Sequence, residues 1–287
     1  IRDSCPPRPP LSSPGSPIQG TGPLTAVKSG LGFGEGPAWI EQTGVLYFTD
    51  VSNKKILWLQ PPAKVSDFLP SPGAADGLAG DFRGGLIACE IGAHRVARID
   101  IASQLITSVA DEYLGTALNA PNDAVVACDG TIYFTDPENT DHRELGFAGV
   151  YRLPPSGELE LVTKGISFPN GIALSPDEKQ LYVAHSGAAS VWVLDVPDAG
   201  AFAGARKLVD TAPQPDGIAI DDAGNLYVAT EIGVQVFQPN GTPWGTIAAA
   251  PGDKTTNCTF GGADRKTLYV TGATALYETR VQLPGVP

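Results

Sequence analysis

Six side chains that carry an oxygen atom recur at one position of a repeated sequence pattern. Each lies 10 or 11 residues before a short apolar core, and four stand in similar words, GEGPAW, APNDAV, FPNGIA and QPDGIA. Three of the six are carboxylates without a basic neighbour in sequence, so gathering them should raise their pKa values unless a cation is bound. The six residues are Glu35, Asp76, Asn122, Asn170, Asp216 and Asn257.

A set of ligands made only of oxygen atoms favours a hard cation. Carboxylate and amide oxygens suit Ca²⁺ first, with Mg²⁺ and Mn²⁺ as alternatives. Zn²⁺ is a weaker alternative because neither His nor Cys belongs to the set. The competing interpretation is that Asn and Asp only cap turns where strands begin. The common register of all six positions favours one shared site.

The elements that must position these side chains repeat six times along the chain. Each repeat has a turn, a short β-rich core and an alternating strand, and successive cores are spaced by 40, 46, 49, 45 and 42 residues. A period in the forties with several strands per repeat is typical of a β-propeller rather than a helical solenoid. The cores begin at Leu46, Leu86, Ile132, Leu181, Leu226 and Leu268.

The sequence therefore predicts an all-β fold, a six-bladed β-propeller with four antiparallel strands per blade. The last blade has three strands of its own, and the spare segment LTAVKSG at Leu24 is predicted to add its outermost strand and close the ring. Closure removes sheet edges that would otherwise aggregate. We expect a Pro-rich tail over 1–23 and a single propeller domain over 24–287, with an open two-domain β protein as the alternative.

Composition limits the partners and the compartment. A formal net charge of −12 disfavours binding to phosphate backbones, so no nucleic-acid partner is expected. No apolar run approaches the ~20 residues of a membrane helix, so no membrane partner is expected. A closed propeller needs no second copy, which favours a monomer. The tail holds seven Pro and the chain no Met, as in a segment that follows a removed signal peptide, so we expect a secreted or periplasmic protein.

The four cysteines lead to two expectations. Cys89 and Cys128 lie in apolar, strand-like runs and are expected to be core thiols. Cys5 lies in the tail and Cys258 near the other end of the chain, and a disulfide between them is a hypothesis that would imply an oxidising compartment. No Cys-X-X-Cys pair supports a zinc-finger site, and no Gly-X-Ser-X-Gly word supports a serine hydrolase.

Longer words resemble those of a known family. LNAPNDAVVACDGTIYFTDP at Leu118, ELGFAGVYRL at Glu144 and FPNGIALSPDEKQLYVAHS at Phe168 are similar to the senescence marker protein (regucalcin), gluconolactonase and lactonase family, most closely its microbial gluconolactonase-like branch. The resemblance runs from about Gly32 to Tyr277, and diisopropylfluorophosphatase is a more distant relative. It implies a six-bladed propeller with a divalent cation, commonly Ca²⁺, that hydrolyses sugar lactones, other lactones or, in some members, organophosphates.

The resemblance also implies roles for particular residues. Glu35, Asn170 and Asp216 correspond to the metal ligands of the family, and Asn122 to a residue that binds metal or substrate. Family proposals make the equivalent of Asp216 a general base or a nucleophile. We therefore expect a Ca²⁺-dependent hydrolase that opens a lactone ring, with the cation polarising the carbonyl. In this hypothesis Asp216 activates water and Asn122 donates an N–H, so both are candidate catalytic residues.

The chain departs from the family at positions that would contact a substrate. Ile91 stands where gluconolactonase-like members often have the His of CEHGNRR, and His94 follows three residues later. Ala120 stands where regucalcin-type proteins have Arg. Fewer polar contacts favour a less polar lactone or a different, ester-like electrophile. The expected substrate pocket comprises Asp76, Asn257, Ile91, His94, Ala120 and His185.

Two other functions are compatible with the sequence. One is an enzyme of the same fold that uses its metal for another reaction, such as organophosphate hydrolysis or an isomerisation. The other is a non-catalytic propeller that binds calcium or a protein partner, since propellers also serve as scaffolds. Turnover of lactones in the presence of Ca²⁺ and of EDTA separates these alternatives from the lactonase.

Overall fold

Six four-stranded antiparallel sheets form the blades of a β-propeller. The computed structural model describes residues 7–12, 15–62, 64–71, 73–138, 144–198 and 200–286. Over these residues, one 3-10 turn, Ser186–Ala188, accompanies the strands, and no helix is long and apolar enough to cross a membrane. The predicted six-bladed, all-β architecture is confirmed.

Each blade runs from an inner strand at the axis to an outer strand. Blade one contains β2 (Gly34–Ile40), β3 (Val45–Asp50), β4 (Lys55–Gln60) and β5 (Lys64–Pro70), and blade two contains β6 (Ala75–Gly80), β7 (Gly85–Glu90), β8 (Arg95–Asp100) and β9 (Ile106–Ala110). A hairpin of β10 (Glu112–Tyr113) and β11 (Thr116–Ala117) precedes blade three, which contains β12 (Ala124–Val126), β13 (Ile132–Asp136), β14 (Gly149–Leu153) and β15 (Glu160–Thr163).

The other three blades repeat this order. Blade four contains β16 (Pro169–Leu174), β17 (Gln180–His185), β18 (Ser190–Asp195) and β19 (Arg206–Asp210), and blade five contains β20 (Ile218–Ile220), β21 (Leu226–Thr230), β22 (Gly233–Phe237) and β23 (Pro243–Ala248). Blade six contains β24 (Thr255–Gly261), β25 (Thr267–Gly272) and β26 (Ala275–Arg280), and its outer strand is β1 (Thr25–Ser29).

The N-terminal strand closes the ring. β1 pairs antiparallel with β26, with Thr25 opposite Glu278 and Ser29 opposite Ala275. The inner strands also pack in order around the axis, and β24 of the last blade contacts β2 of the first. The predicted closure by a strand from the start of the chain is therefore confirmed.

Apolar packing lies between the blades rather than within a single central core. Six clusters of buried side chains each join two neighbouring blades. In the cluster that joins blades one and six, Phe48 and Leu59 pack with Tyr269 and Leu276. Burial of one such large side chain stabilises the fold by about 1.5–3 kcal/mol. Second strands such as β3 are buried on both faces, which explains their continuous apolar runs.

Threonine hydroxyls join neighbouring blades at the residues that face the axis. Thr49 of blade one donates to the carbonyl oxygen of Asp76 in blade two at 2.9 Å. Thr135 of blade three donates to the carbonyl oxygen of Asn170 in blade four at 2.7 Å. Both hydroxyl donors are fully buried. These bonds tie the backbone of candidate site residues to the preceding blade.

Segments from both ends of the chain pack on the face opposite the inner-strand entries. The Arg8 N–H donates to the carbonyl oxygen of Pro176 at 3.0 Å, and its guanidinium pairs with Asp222 at 2.8 Å. The Asp222 N–H in turn donates to the carbonyl oxygen of Pro284 at 2.8 Å. The described part of the segment 1–23 thus contacts the propeller, and the domain boundary at residue 24 stays a prediction.

The expected pairing of Cys5 with Cys258 is wrong. Cys5 lies outside the described residues, and Cys258 is a free thiol, 3% exposed, that donates to the carbonyl oxygen of Tyr227. Its side chain packs between blades five and six, away from the surface. Cys128 was expected to be a core thiol but is disulfide-bonded. Cys89 is a free, buried thiol, as expected.

Replacing Thr135 by Val tests the bonds between blades. Thr135→Val keeps the side-chain volume but leaves the Asn170 carbonyl without its hydroxyl donor, so we expect the free energy of unfolding to fall by about 1–2 kcal/mol. Urea unfolding measures this change. The control Thr107→Val alters an exposed threonine of outer strand β9 and should change stability by less than about 0.5 kcal/mol. Equal losses in both variants would contradict the assignment.

Candidate active site

The predicted oxygen-bearing side chains converge at one end of the axial channel. Their inner strands surround the axis, and the Asn122 amide donates from Nδ2 to Asp76 Oδ2 at 2.7 Å. All six residues lie where an inner strand begins. The second residues of β2, β6 and β16 are Glu35, Asp76 and Asn170, and the third residue of β24 is Asn257. Two residues before β12 and β20 stand Asn122 and Asp216, respectively. The shared register predicted from sequence therefore corresponds to a real cluster of side chains.

Glycine next to these residues lets the strands come close together. A Cβ atom on Gly217 would lie 1.9 Å from Oδ1 of Asn257, and one on Gly77 would lie 2.4 Å from Oδ1 of Asp123. Both distances are far below van der Waals contact. Any larger residue at either position would push a site side chain of the next blade away from the axis.

Asp123 is a carboxylate of this cluster that the sequence reasoning missed. Its Oδ1 accepts from the Ala124 N–H at 2.9 Å, its Oδ2 accepts from the Asn257 amide at 3.5 Å, and the residue is 6% exposed. Its position follows the axial residue directly, and in blades one, two, four and five that position is glycine. The Asp of the word PND, at a position where four other blades have glycine, was the signal that could have identified Asp123.

Burial and mutual repulsion favour the protonated carboxyl groups in this cluster. Burial raises the pKa of Asp76 to about 7, with a contribution from the charge of Asp123, and burial raises the pKa of Asp123 to about 7. Burial, followed by the charges of the neighbouring carboxylates, raises the pKa values of Glu35 and Asp216 well above their ordinary range. The protein therefore holds protons here near neutral pH unless another positive charge replaces them.

The cluster has a buried layer and a more open layer. Glu35, Asp76 and Asp123 are buried, at 5%, 9% and 6% exposure. Asn170 and Asp216 are partly exposed, and the Asn170 side chain favours the charged form of Asp216, which opposes the rise in the pKa of that carboxyl group. Asn122 is also partly exposed. These last three residues are the members of the cluster that a substrate can reach first.

The donor set fits a hard cation that is held partly by amides. Among the described residues, no group of three His, Cys, Asp or Glu side chains is arranged to hold a metal ion without other ligands. The carboxylates of Glu35 and Asp216 would therefore need amide oxygens such as that of Asn170, and oxygen ligands of this mixture suit Ca²⁺. Because one Asn122 amide hydrogen is used by Asp76, its Oδ1 is the atom left to face a cation.

Aspartates at the ends of second strands hold the loops that carry the site. Asp136 accepts from the backbone N–H of Asn119 at 2.9 Å and of Ala120 at 2.7 Å, just before Asn122. Burial raises the pKa of Asp136 to about 6 although these bonds favour its charged form. Asp50 accepts the Gly32 N–H in the same way in blade one, at 3.0 Å. The words VLYFTD and TIYFTD contain both aspartates, but as strand ends they gave no sign of this loop contact.

His94 and Ala120 lie at the loop of blade three, whereas Ile91 contacts blade two. The half-buried Ile91 donates its N–H to the carbonyl oxygen of Ala74 at 3.1 Å. His94 Nδ1 contacts the carbonyl oxygen of Asn119, and Ala120 is 8% exposed. His94 and Ala120 thus belong to the support of the Asn122 loop, and contact of all three with a substrate stays a prediction.

His185 is a buried side chain, 7% exposed. Its Nε2 lies 2.9 Å from the Ser167 hydroxyl oxygen, three residues before Asn170, and burial lowers its pKa. Its Nδ1 has no hydrogen-bond partner among the described residues. The pair therefore lacks the carboxylate that would complete a Ser-His-Asp triad, and a substrate-binding role for His185 stays a prediction.

A cavity lies beneath the cluster. It has a volume of about 560 Å³, is lined by apolar groups such as Trp39, Phe82 and Phe260, and opens toward the face that Arg8 covers. Asp123 and Asn257 form its inner end. It is the axial channel of the propeller and reaches the candidate site from the opposite side.

Comparison with known proteins places the chain in a family. The family model described as SMP-30/Gluconolactonase/LRE-like region matches residues 33–274. The chain belongs to this family. It is 32% identical to a gluconolactonase of Zymomonas mobilis, over 92% of this chain and 82% of the relative, and 30% identical to regucalcin of Oryctolagus cuniculus, over 84% and 83%.

Solved structures support the same family assignment. A gluconolactonase structure from Xanthomonas campestris matches with a TM-score of 0.83 and 32% identity, covering 90% of this chain and 89% of that one. The matched range of the family model includes each of the six predicted axial residues. The resemblance inferred from the sequence words is confirmed.

Asp123→Asn tests the charge state of the cluster. Because the pKa of Asp123 is raised from 3.8 to about 7, the folded protein binds more protons than the unfolded chain between these values, and its stability falls as the pH rises through them. In EDTA at pH 8, we expect the free energy of unfolding of Asp123→Asn to exceed that of the unchanged protein by about 1–3 kcal/mol, as measured by urea unfolding. Near pH 4 we expect no such gain. The exposed control Asp198→Asn should show no such pH-dependent gain.

Proposed function

We propose that the protein is a lactone hydrolase that depends on a divalent cation, with Ca²⁺ as the preferred ion. The carboxylate cluster at the channel entrance carries this proposal, because its raised pKa values create a demand for positive charge in a site that offers only oxygen ligands. Gluconolactonases of the same family, 32% identical, support the reaction class. Glu35, Asn170 and Asp216 would hold the ion, with Asn122 as a further oxygen ligand.

A bound cation would polarise the lactone carbonyl and stabilise the oxyanion that forms on it. The residues of the chain supply the proton transfer and the orientation. Asp216 is partly exposed, so it can accept a proton from the water molecule that attacks the carbonyl carbon. The acyl carbon–oxygen bond of the ring then breaks, and the ring oxygen takes the proton to become a hydroxyl. The product is a hydroxy acid.

The surroundings keep Asp216 oriented for this role. Its backbone N–H donates to the carbonyl oxygen of Ala229 at 2.9 Å, and the Asn170 side chain favours the charged form of its carboxyl group. Gly217 beside it leaves room for Asn257. A residue whose backbone is fixed in this way loses little freedom when a substrate binds, which favours catalysis.

Export to an oxidising compartment is part of this proposal. The disulfide of Cys128 supports it, since stable disulfides are rare in reducing compartments. A monomer that binds a small lactone, without nucleic acid or membrane, agrees with the net charge of −12 and with the closed ring.

Asp216→Asn should abolish turnover while the fold is retained. We expect the unchanged protein to release protons from γ- and δ-lactones, including glucono-δ-lactone, in Ca²⁺ but not in EDTA, after spontaneous hydrolysis is subtracted. Loss of a general base lowers the rate by about 10²–10⁴-fold, so Asp216→Asn should fall by at least this factor. Asp198→Asn serves as the matched control with full activity.

Turnover by folded Asp216→Asn would exclude the role of Asp216. No turnover by the unchanged protein would favour another metal-dependent reaction or a binding role.

Binding of Ca²⁺ should displace protons from the cluster. Because the metal-free carboxyl groups hold protons near neutral pH, titration of unbuffered protein with Ca²⁺ at pH 7 should release about one proton or more per bound ion. A pH-stat measures the protons released, and calorimetry measures how many Ca²⁺ ions bind per protein molecule. Apparent affinity should rise between pH 6 and pH 8. Binding without proton release would place the ion away from these carboxylates.

A further inference from the structure

Lys254 places a positive charge between the loops that lead into the candidate ligands. Its Nζ donates to Oε1 of Gln214 at 3.4 Å and lies 5.3 Å from the centroid of the Phe33 ring. Phe33 stands two residues before Glu35, and Gln214 two residues before Asp216. Lys254 itself immediately precedes β24. The ammonium group therefore lies on the side of the ring where a substrate enters, where blades five, six and one meet.

Lys254 forms no ion pair with a carboxylate in the described part of the chain, although its charge acts on Asp216. Other lysines, such as Lys55 and Lys207, form ion pairs with aspartates at 2.7 Å, whereas no carboxylate oxygen of the described residues is within ion-pair distance of Nζ in Lys254. An ammonium has three N–H donors, and the long bond to a neutral amide uses one of them. The half-buried stem and the aromatic ring hold the group in place, so it is ready to bind an anion.

The rest of the entrance does not favour anions. The protein carries a net charge of −12, and four carboxylates lie at the axis. Ile91 and Ala120, at blades two and three, add no charge. The net negative charge disfavours an anionic substrate unless a cation receives its charged substituent.

We propose that Lys254 is a specificity residue that binds an anionic substituent, a carboxylate or a phosphate, carried by the chain attached to the lactone ring. This inference rests on the proposed lactone hydrolysis. It assigns substrate orientation as well as selectivity, because the substituent lies over blade six while the ring carbonyl lies beside Asp216. The alternative is that Lys254 only supports the charge of Asp216, which would affect all lactones equally.

Matched lactones separate these possibilities. The experiment compares glucono-δ-lactone with 6-phosphoglucono-δ-lactone and with a lactone of glucaric acid, in the unchanged protein, Lys254→Met and Lys254→Arg. We expect Lys254→Met to lower kcat/KM for the charged lactones about tenfold or more, mainly through KM, and to change the neutral lactone less than about twofold. Lys254→Arg should restore most of the loss. Lys64→Met removes a lysine that lies 5.5 Å from the Trp58 ring on an outer strand, and it should change none of the rates.

The outcomes decide between the proposals. Equal losses on neutral and charged lactones, or no loss at all, would overturn the role of Lys254 in substrate choice. A loss on the phosphorylated lactone alone would assign a phosphate site, and a loss on both charged lactones a general anion site. If the unchanged protein hydrolyses no lactone, the proposed function fails, and calorimetry with 6-phosphogluconate and gluconate then tests Lys254 separately. Tighter binding of 6-phosphogluconate that is lost in Lys254→Met would support the anion site, and equal affinities would overturn it.

Discussion

Repulsion between four carboxylates at the axis is the constraint on which the other features of the structure depend. Buried ionised groups are strongly unfavourable unless paired, and among the described residues no Lys or Arg is buried beside Glu35, Asp76 and Asp123. Six apolar clusters between the blades and the hydroxyl bonds of Thr49 and Thr135 hold the inner strands together against this repulsion. The chemistry of the site follows, since a structure that concentrates negative charge also creates affinity for positive charge.

The blades could be predicted from sequence because each is a local structure. Its strands are joined by short turns, so the alternation and spacing along the chain report directly on the sheet. The closing strand β1 was predictable for a different reason, because the last repeat lacked one strand and one spare segment was available. The cluster of axial residues followed from the common register of the repeats. Their roles with metal and substrate are not visible from that register, and these remain proposals.

Contacts between blades were much harder to predict. Asp123 lies next to the correctly predicted Asn122, but its importance depends on Asn257 and Gly77, which belong to other blades. The pairing of Cys5 with Cys258 was wrong because position in the sequence does not tell which face of a blade a side chain occupies. The contacts of Lys254 could not be predicted for the same reason, since its neighbours Phe33 and Gln214 lie far from it in sequence. Periodicity describes one blade, whereas the site is formed by several.

The closing strand also affects the order in which the protein can be made. β1 is synthesised first among the strands, yet its partner β26 follows more than two hundred residues later. Until β26 leaves the ribosome, blade six cannot form, and the apolar cluster that joins it to blade one stays exposed to water. Contacts so distant in sequence slow folding and prolong exposure to aggregation. A nascent chain with five finished blades therefore has neither a closed channel nor a complete set of axial side chains.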